Sequence, residues 1–270
     1  MKIELNPRLG DPIPNLLWEA HELGNIIKAT NSQPCSECRF VQETAALGEY
    51  TRNHFHVSSD IGGCAKKVFK ICTTGKRNGL SGFNFLNDGH IHEEAILKNI
   101  QRGLPDGYSL KVSKNTQEGV YHADKFGGFR LIGHTDALLC TPNGVAGVEC
   151  KAVKEEMWKK IRETSEISDD WYGQAQGYML IWQIESWYFI VKHRATSKIL
   201  MPIRVDLDPG FIVNKLIKLG DIYNRIMTGG KQPNREHQSS KDYECLWCPF
   251  GNEVGDGSCW KDKEVIDIGF

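Results

Sequence analysis

Gly133-His134-Thr135-Asp136 is followed, after a Thr141-Pro142-Asn143-Gly144 turn, by Glu149-Cys150-Lys151. On either side of the turn, residues 130–140 (RLIGHTDALLC) and 145–153 (VAGVECKAV) are rich in strand formers. Pro at the second turn position and Gly at the fourth suit a type I turn. A hairpin centred between Pro142 and Asn143 sets Asp136 opposite Glu149, and a bulge at Gly144 would slip this by one residue. Side chains alternate along a strand, so Asp136, Glu149 and Lys151 gather on one face. Cys150 points the other way, into the core.

Two carboxylates, a main-chain carbonyl and a lysine form a recognisable chemical set. Magnesium and manganese take oxygen ligands, here Asp136, Glu149 and the carbonyl of Cys150. A neighbouring lysine can orient or deprotonate an attacking water, or stabilise charge on a phosphate. The expectation is a site for metal-assisted phosphodiester hydrolysis. Solvated sheet faces carry the same residue types, so the pattern needs context.

Three features supply it. Residues 87–100 (NDGHIHEEAILKNI) read as a helix with Asn87 and Asp88 as capping candidates. On it His92 lies in line with Ile96 and Ile100 and faces inward, a candidate metal ligand, whereas His90 faces water. A second helix is expected over 169–183, where Gln174 and Tyr178 share a face. The third feature is the set of nine cysteines: Cys35, Cys38, Cys64, Cys72, Cys140, Cys150, Cys245, Cys248 and Cys259. No leader or membrane-spanning run is visible, so a cytoplasmic, reducing compartment without disulfides is expected. Paired cysteines then read as metal ligands. Cys245-x2-Cys248 and Cys259 offer three thiolates and want a fourth. Zinc and an iron–sulfur cluster both suit four thiolates, and spacing does not choose between them.

Together, Asp136, Glu149-x-Lys151, His92 and Gln174-x-x-x-Tyr178 resemble the RecB-like branch of the PD-(D/E)XK nucleases. The likeness is greatest to its iron–sulfur members, the CRISPR-associated Cas-four-type exonucleases and the AddB-type nuclease domains. The stretch from His56 to Lys67 (HVSSDIGGCAKK) resembles that branch's Ser-rich turn, cysteine and basic pair. The resemblance runs from about residue 57 to 260. It implies an α/β, restriction-endonuclease-like core with a C-terminal cysteine-rich iron–sulfur region. It implies a [4Fe-4S] cluster on Cys64, Cys245, Cys248 and Cys259, with zinc as the alternative. It also implies that Gln174 and Tyr178 help hold the strand or the lysine, and that single-stranded or splayed DNA ends are the substrate. Recombination or CRISPR-adaptation proteins are the implied partners, and an oligomer is compatible with it. Two further readings stay open: an endonuclease or end processor active only with partners, and a noncatalytic zinc or iron–sulfur DNA-binding module.

Residues 1–55 stand apart as an N-terminal extension, with 56–270 as the nuclease domain. Cys35-x2-Cys38 with His54-x-His56 forms a candidate zinc knuckle, or two free thiols and two histidines. Upstream, residues 14–29 (PNLLWEAHELGNIIKA) are amphipathic and read as a helix.

The chain has 270 residues, enough for one large domain, and its 40% hydrophobic content is ordinary for a globular protein. A net charge of −1 does not advertise a nonspecific duplex binder. Local basic clusters do exist, at Lys66, Lys67, Lys70, Lys76 and Arg77, and at Lys151, Lys154, Lys159 and Lys160. Trp171, Tyr172, Trp247 and Trp260 are candidate base-stacking aromatics. Strands are expected near 109–113, 119–123, 186–193 and 198–205, and a last helix over 209–228. The polar segment 231–241 reads as a linker to the cysteine tail.

Overall fold

The expected hairpin forms, with a change of sheet just before it. In the computed structural model, described residues are 54–74, 80–112, 118–234, 236, 239, 245, 248–250 and 257–261, with backbone alone for 80–90, 118 and 261. Cys35, Cys38, the stretch 14–29, Lys76, Arg77 and Trp247 lie outside the described residues.

The chain runs β1 (His54–His56), α1 (Val57–Asp60), α2 (Ala65–Thr74), α3 (Leu80–Gly103), β2 (Ser109–Val112) and β3 (Glu118–Ala123). After a 3-10 turn come β4 (Phe129–His134), β5 (Ala137–Thr141), β6 (Gly144–Val153), α4 (Glu155–Thr164) and α5 (Asp169–Trp182). It continues with β7 (Ser186–His193), β8 (Ile203–Asp206), α6 (Pro209–Met227) and α7 (Ser258–Lys261). One sheet has the order β1-β4-β3 and the other β2-β5-β6-β7-β8. The β6–β7 pair is parallel and its α4–α5 connection is a crossover of the kind parallel neighbours require. The boundary expected after residue 55 falls within β1, which pairs in parallel with β4.

The run 130–140 is not one strand. It breaks at Thr135–Asp136, where the chain leaves the three-stranded sheet and enters the five-stranded one. The Thr135 hydroxyl donates to the Ala137 carbonyl at 3.2 Å and pins the bend. Beside it, Gly133 admits the Tyr178 ring of α5: a Cβ there would sit 2.5 Å from a ring carbon. On β6, a Cβ at Gly147 would lie 1.9 Å from the Trp187 ring, so only glycine lets that indole cross the strand.

The first core helix also differs from expectation. It begins at Leu80, so Asn87 and Asp88 lie within the helix and not at its start. Asn and Asp cost only about 0.7 kcal/mol or less each inside a helix, a penalty neighbouring turns outweigh. The last expected strand is shorter than 198–205: β8 starts at Ile203, and Ile199 makes only an isolated bridge to Lys192.

Alternation along the strands gives the five-stranded sheet two apolar faces. Ile96, Leu97 and Ile100 of α3 pack with Leu139, Val148, Tyr188 and Ile190 on one face. Trp158 and Ile161 of α4, with Tyr178 and Met179 of α5, pack with Trp187, Phe189 and Val191 on the other. Helix α5 is held at both ends: Ser168 Oγ accepts from Trp171 N at 3.3 Å, and Gln183 closes it with φ +53°. No helix among the described residues is long and apolar enough to cross a membrane.

Candidate active site

Asp136 sits at the change of sheet, one position before the Ala137–Val148 pair, so the hairpin register carries it to Glu149. Its Oδ2 accepts from the Cys150 amide at 2.7 Å. Next along β6, the Lys151 ammonium donates to Glu149 Oε1 and to Gln174 Oε1, each at 2.8 Å. The Gln174 amide donates in turn to Glu149 Oε1 at 2.8 Å and to the Tyr178 hydroxyl at 3.3 Å. Tyr178 completes the chain by donating to the His134 carbonyl at 2.6 Å. The structure thus brings Asp136, Glu149, Lys151, Gln174 and Tyr178 into one connected set. Glu149, Gln174 and Tyr178 are buried at 5% exposure or less.

The electrostatics follow from that burial. Loss of solvent, then the charges of Glu149 and Glu93, push the Asp136 carboxyl well above its usual range against the pull of Lys151. Burial likewise raises Glu149, opposed first by the Lys151 charge. For Lys151, burial alone would lower the ammonium, but the charges of Glu149 and Asp136 outweigh it and the net shift is upward. An ammonium held between two carboxylates in this way is suited to holding charge more than to taking a proton. Burial also drives the Tyr178 phenol well up, so it stays a neutral donor.

His92 is half-buried with Nδ1 3.2 Å from the Lys192 ammonium. Its neighbour Glu93 is the α3 residue whose charge acts on Asp136, Glu149, Cys150 and Tyr178. Sequence reasoning passed over Glu93, yet a signal was present: Glu93 precedes Leu97 and Ile100 by four and seven residues, an inward spacing equal to that of His92. Cys150 packs toward the α3-side core as expected.

Glu149 Oε2 is buried and has no hydrogen-bond partner among the described residues. Such an oxygen calls for a cation. The carboxylates of Asp136 and Glu149 with main-chain carbonyl oxygen are hard donors that fit magnesium or manganese.

The cysteines gather elsewhere. Cys64, Cys245, Cys248 and Cys259 are all buried. Burial raises the Cys259 thiol; Lys66 and Lys70 oppose the shift, and Cys64 and Cys248 reinforce it, so the start of α2 and the tail feel each other. The tail docks on α2. Cys248, Phe250 and Cys259 pack with Ile71 and Trp260, and the Lys70 ammonium lies 3.4 Å from Ser258 Oγ and 5.7 Å from the Phe250 ring centre. Sulfur donors of this kind suit zinc or an iron–sulfur cluster. Among the described residues, no three His, Cys, Asp or Glu side chains stand as a ready metal-holding group.

Of the other expected residues, Trp171 stacks on Phe189 at 5.6 Å, with the Lys151 ammonium 5.7 Å from its ring centre. Tyr172 is structural: its hydroxyl donates to Asp208 at 3.2 Å, and burial with that carboxylate pushes it up to about 12. Lys66 is buried, and Lys159 pairs with Glu155. His54 and His56 form part of β1, their rings edge to face at 5.0 Å.

No protein-family model and no curated protein matches the chain. Among solved structures it is similar to the crystal structure of SSO0001, at 15% identity and TM-score 0.46, over 79% of this chain and 93% of that one. It is also similar to an alkaline exonuclease, LHK-Exo, from Laribacter hongkongensis, at 11% identity and TM-score 0.41, over 70% and 93%. A third similar structure is a phage-related exonuclease from Haemophilus somnus 129PT, at 13% identity and TM-score 0.39, over 80% and 99%.

Proposed function

We propose that the chain is a metal-dependent deoxyribonuclease of the PD-(D/E)XK kind, acting as an exonuclease on single-stranded or splayed DNA ends. The observation that carries the reading is the connected set Glu149–Lys151–Gln174–Tyr178 facing Asp136, with one buried Glu149 oxygen left unpartnered.

Asp136, Glu149 and the Cys150 carbonyl would hold magnesium or manganese, with Glu93 adding negative charge and His92 one position away. When bound, the ion lowers the pKa of a water and steadies charge on the phosphate. Lys151 supplies a fixed positive charge to a phosphate oxygen and orients the attacking water. Gln174 holds Lys151 and Glu149 in mutual register. Tyr178 fixes the His134 carbonyl, and so the bend that delivers Asp136. The cysteines serve structure in this reading: Cys64 with Cys245, Cys248 and Cys259 would hold a [4Fe-4S] cluster, or zinc, and fasten the tail to α2. Recombination or CRISPR-adaptation proteins are the partners of such an enzyme.

The test uses anaerobically purified protein with end-labelled linear and closed circular single-stranded DNA, in manganese, magnesium or EDTA. Metal-dependent loss of the linear strand alone is expected. Cutting of the circle would replace the exonuclease with an endonuclease. No loss of either strand would contradict the reading.

A further inference from the structure

The catalytic face of the sheet continues past Lys151. Glu149, Lys151 and Val153 alternate onto one side of β6, and β7 runs beside them with Lys151 opposite Val191 and Val153 opposite His193. Two residues of strand cover about 7 Å. There the sheet opens into a cavity of about 420 Å³, large enough for a nucleotide-sized group. Trp158 and Ile199 form its apolar wall, and Arg162, His193, Thr196 and Lys198 its polar rim.

The rim is fixed in place. His193, 4% exposed, accepts at Nδ1 from the Thr196 amide at 3.0 Å and lies 2.8 Å from the Thr196 hydroxyl. With Nδ1 accepting an amide proton, the ring proton belongs on Nε2, which lies 2.7 Å from Glu155 Oε2. Trp158 packs edge-on against the same imidazole at 5.5 Å. His193 also closes the turn through its main chain, donating to the Lys198 carbonyl at 2.8 Å and accepting from Ser197 N at 3.0 Å. Glu155, the acidic group of the lining, pairs through one oxygen with Lys159 at 3.1 Å and has His193 Nε2 2.7 Å from the other. Among the described residues Arg162 meets the exposed Glu163, at 3.5 Å, and Lys198 stands exposed on the fixed turn.

We propose that this cavity is a phosphate subsite for the DNA strand flanking the scissile bond, with Arg162 and Lys198 as its charges and the Trp158–Ile199 wall against the sugar. The proposal rests on the nuclease reading above. It supplies what the catalytic set lacks. The Lys151 charge is already balanced by Glu149, and the net charge of −1 gives no general attraction for a polyanion. A strand must therefore find its cations locally.

The test is fluorescence anisotropy of a labelled oligo-dT in EDTA, across a salt series. It compares wild type, an Arg162→Ala/Lys198→Ala variant, an Arg162→Lys/Lys198→Arg variant and a control, Lys111→Ala/Lys125→Ala. The alanine pair is expected to bind at least about 10-fold more weakly, with the log–log salt slope reduced by about 1.4, or about 0.7 per lost phosphate contact. The charge-conserving pair and the control keep the wild-type slope. An alanine pair with wild-type affinity and slope overturns the subsite, as does a loss equal to that of the control. Wild type that binds with this slope difference yet cuts no DNA supports the subsite and sinks the nuclease reading. Wild type that cuts DNA, with KM unchanged in the alanine pair, does the reverse.

Discussion

The Cys150 main-chain amide donates to Asp136 Oδ2 at 2.7 Å, and this bond joins the bend between the two sheets to the strand that carries Glu149 and Lys151. Asp136 also feels the charge of Glu149, whose Oε2 has no hydrogen-bond partner among the described residues. In Asp136→Asn the acceptor is kept and a charge removed. Steady-state cleavage is expected to fall by at least about 100-fold. A variant within a few-fold of wild type would remove Asp136 from the account.

The same residue sets the pH dependence of the metal-free protein. Its carboxyl is raised in the folded state by burial and then by the charges of Glu149 and Glu93. The folded form therefore binds a proton that the unfolded form has released. That contribution to stability is complete below the ordinary carboxylate range and is lost as pH climbs through the raised value. A divalent ion reverses the preference by favouring the ionised carboxylates. Magnesium at 100-fold over its Kd is expected to add about 2.7 kcal/mol of stability, to raise the melting temperature more at pH 8 than at pH 6 at equal concentration, and to release protons on binding. Calorimetry in buffers of different ionisation heat reads the protons. No magnesium-dependent shift, or one equal in Asp136→Asn, would contradict a carboxylate metal site.

Tyr178→Phe separates positioning from chemistry. Loss of the hydroxyl strands the His134 carbonyl and removes a partner of Gln174. Stability is expected to fall by about 1–3 kcal/mol and cleavage by about 10-fold, the size of an effect exerted through a neighbour. Denaturant melts and single-turnover rates measure the two. An unchanged melt would mean that this bond does not hold the bend.

Two adjacent residues of α3 compete for a role at the proposed metal site. Glu93 acts electrostatically on Asp136 and Glu149, whereas His92 lies against Lys192. Glu93→Gln is expected to weaken magnesium activation by about 10- to 100-fold, and His92→Ala by less. Metal titrations of activity decide, and the opposite ranking would restore the histidine.

For the thiols, anaerobic protein is expected to carry iron with labile sulfide, or stoichiometric zinc. Cys64→Ser and Cys259→Ser should each lose it, while Cys140→Ser, on β5 and outside the cluster of Cys248, Phe250 and Cys259, keeps it. Elemental analysis of the variants would show otherwise if these sulfurs were not ligands.

The hairpin was legible because a two-residue loop fixes register: Thr141 pairs with Gly144, and every later pair follows to Ala137–Val148, one position short of Asp136 and Glu149. Gln174 and Tyr178 were legible because a helix puts residues four apart on one side. The break at Thr135–Asp136 was not, since RLIGHTDALLC is strand-forming throughout. What ends β4 is a through-space event, Tyr178 reaching the main chain beside Gly133. Glu93 was missed because helical spacing aims both it and His92 inward, and only the packed sheet tells them apart. The start of α3 was missed because Asn87 and Asp88 have capping chemistry that the helix overrides.

The central claim is that Lys151, clasped by Glu149 and Gln174, sits at the reacting centre. The most direct measurement is the single-turnover rate of manganese-dependent cleavage of end-labelled single-stranded DNA by wild type and Lys151→Ala, with the folding of both checked by thermal melts. A folded Lys151→Ala that still binds the strand but cleaves it at least about 100-fold more slowly is the predicted result. A folded variant that cleaves at the wild-type rate would contradict the account.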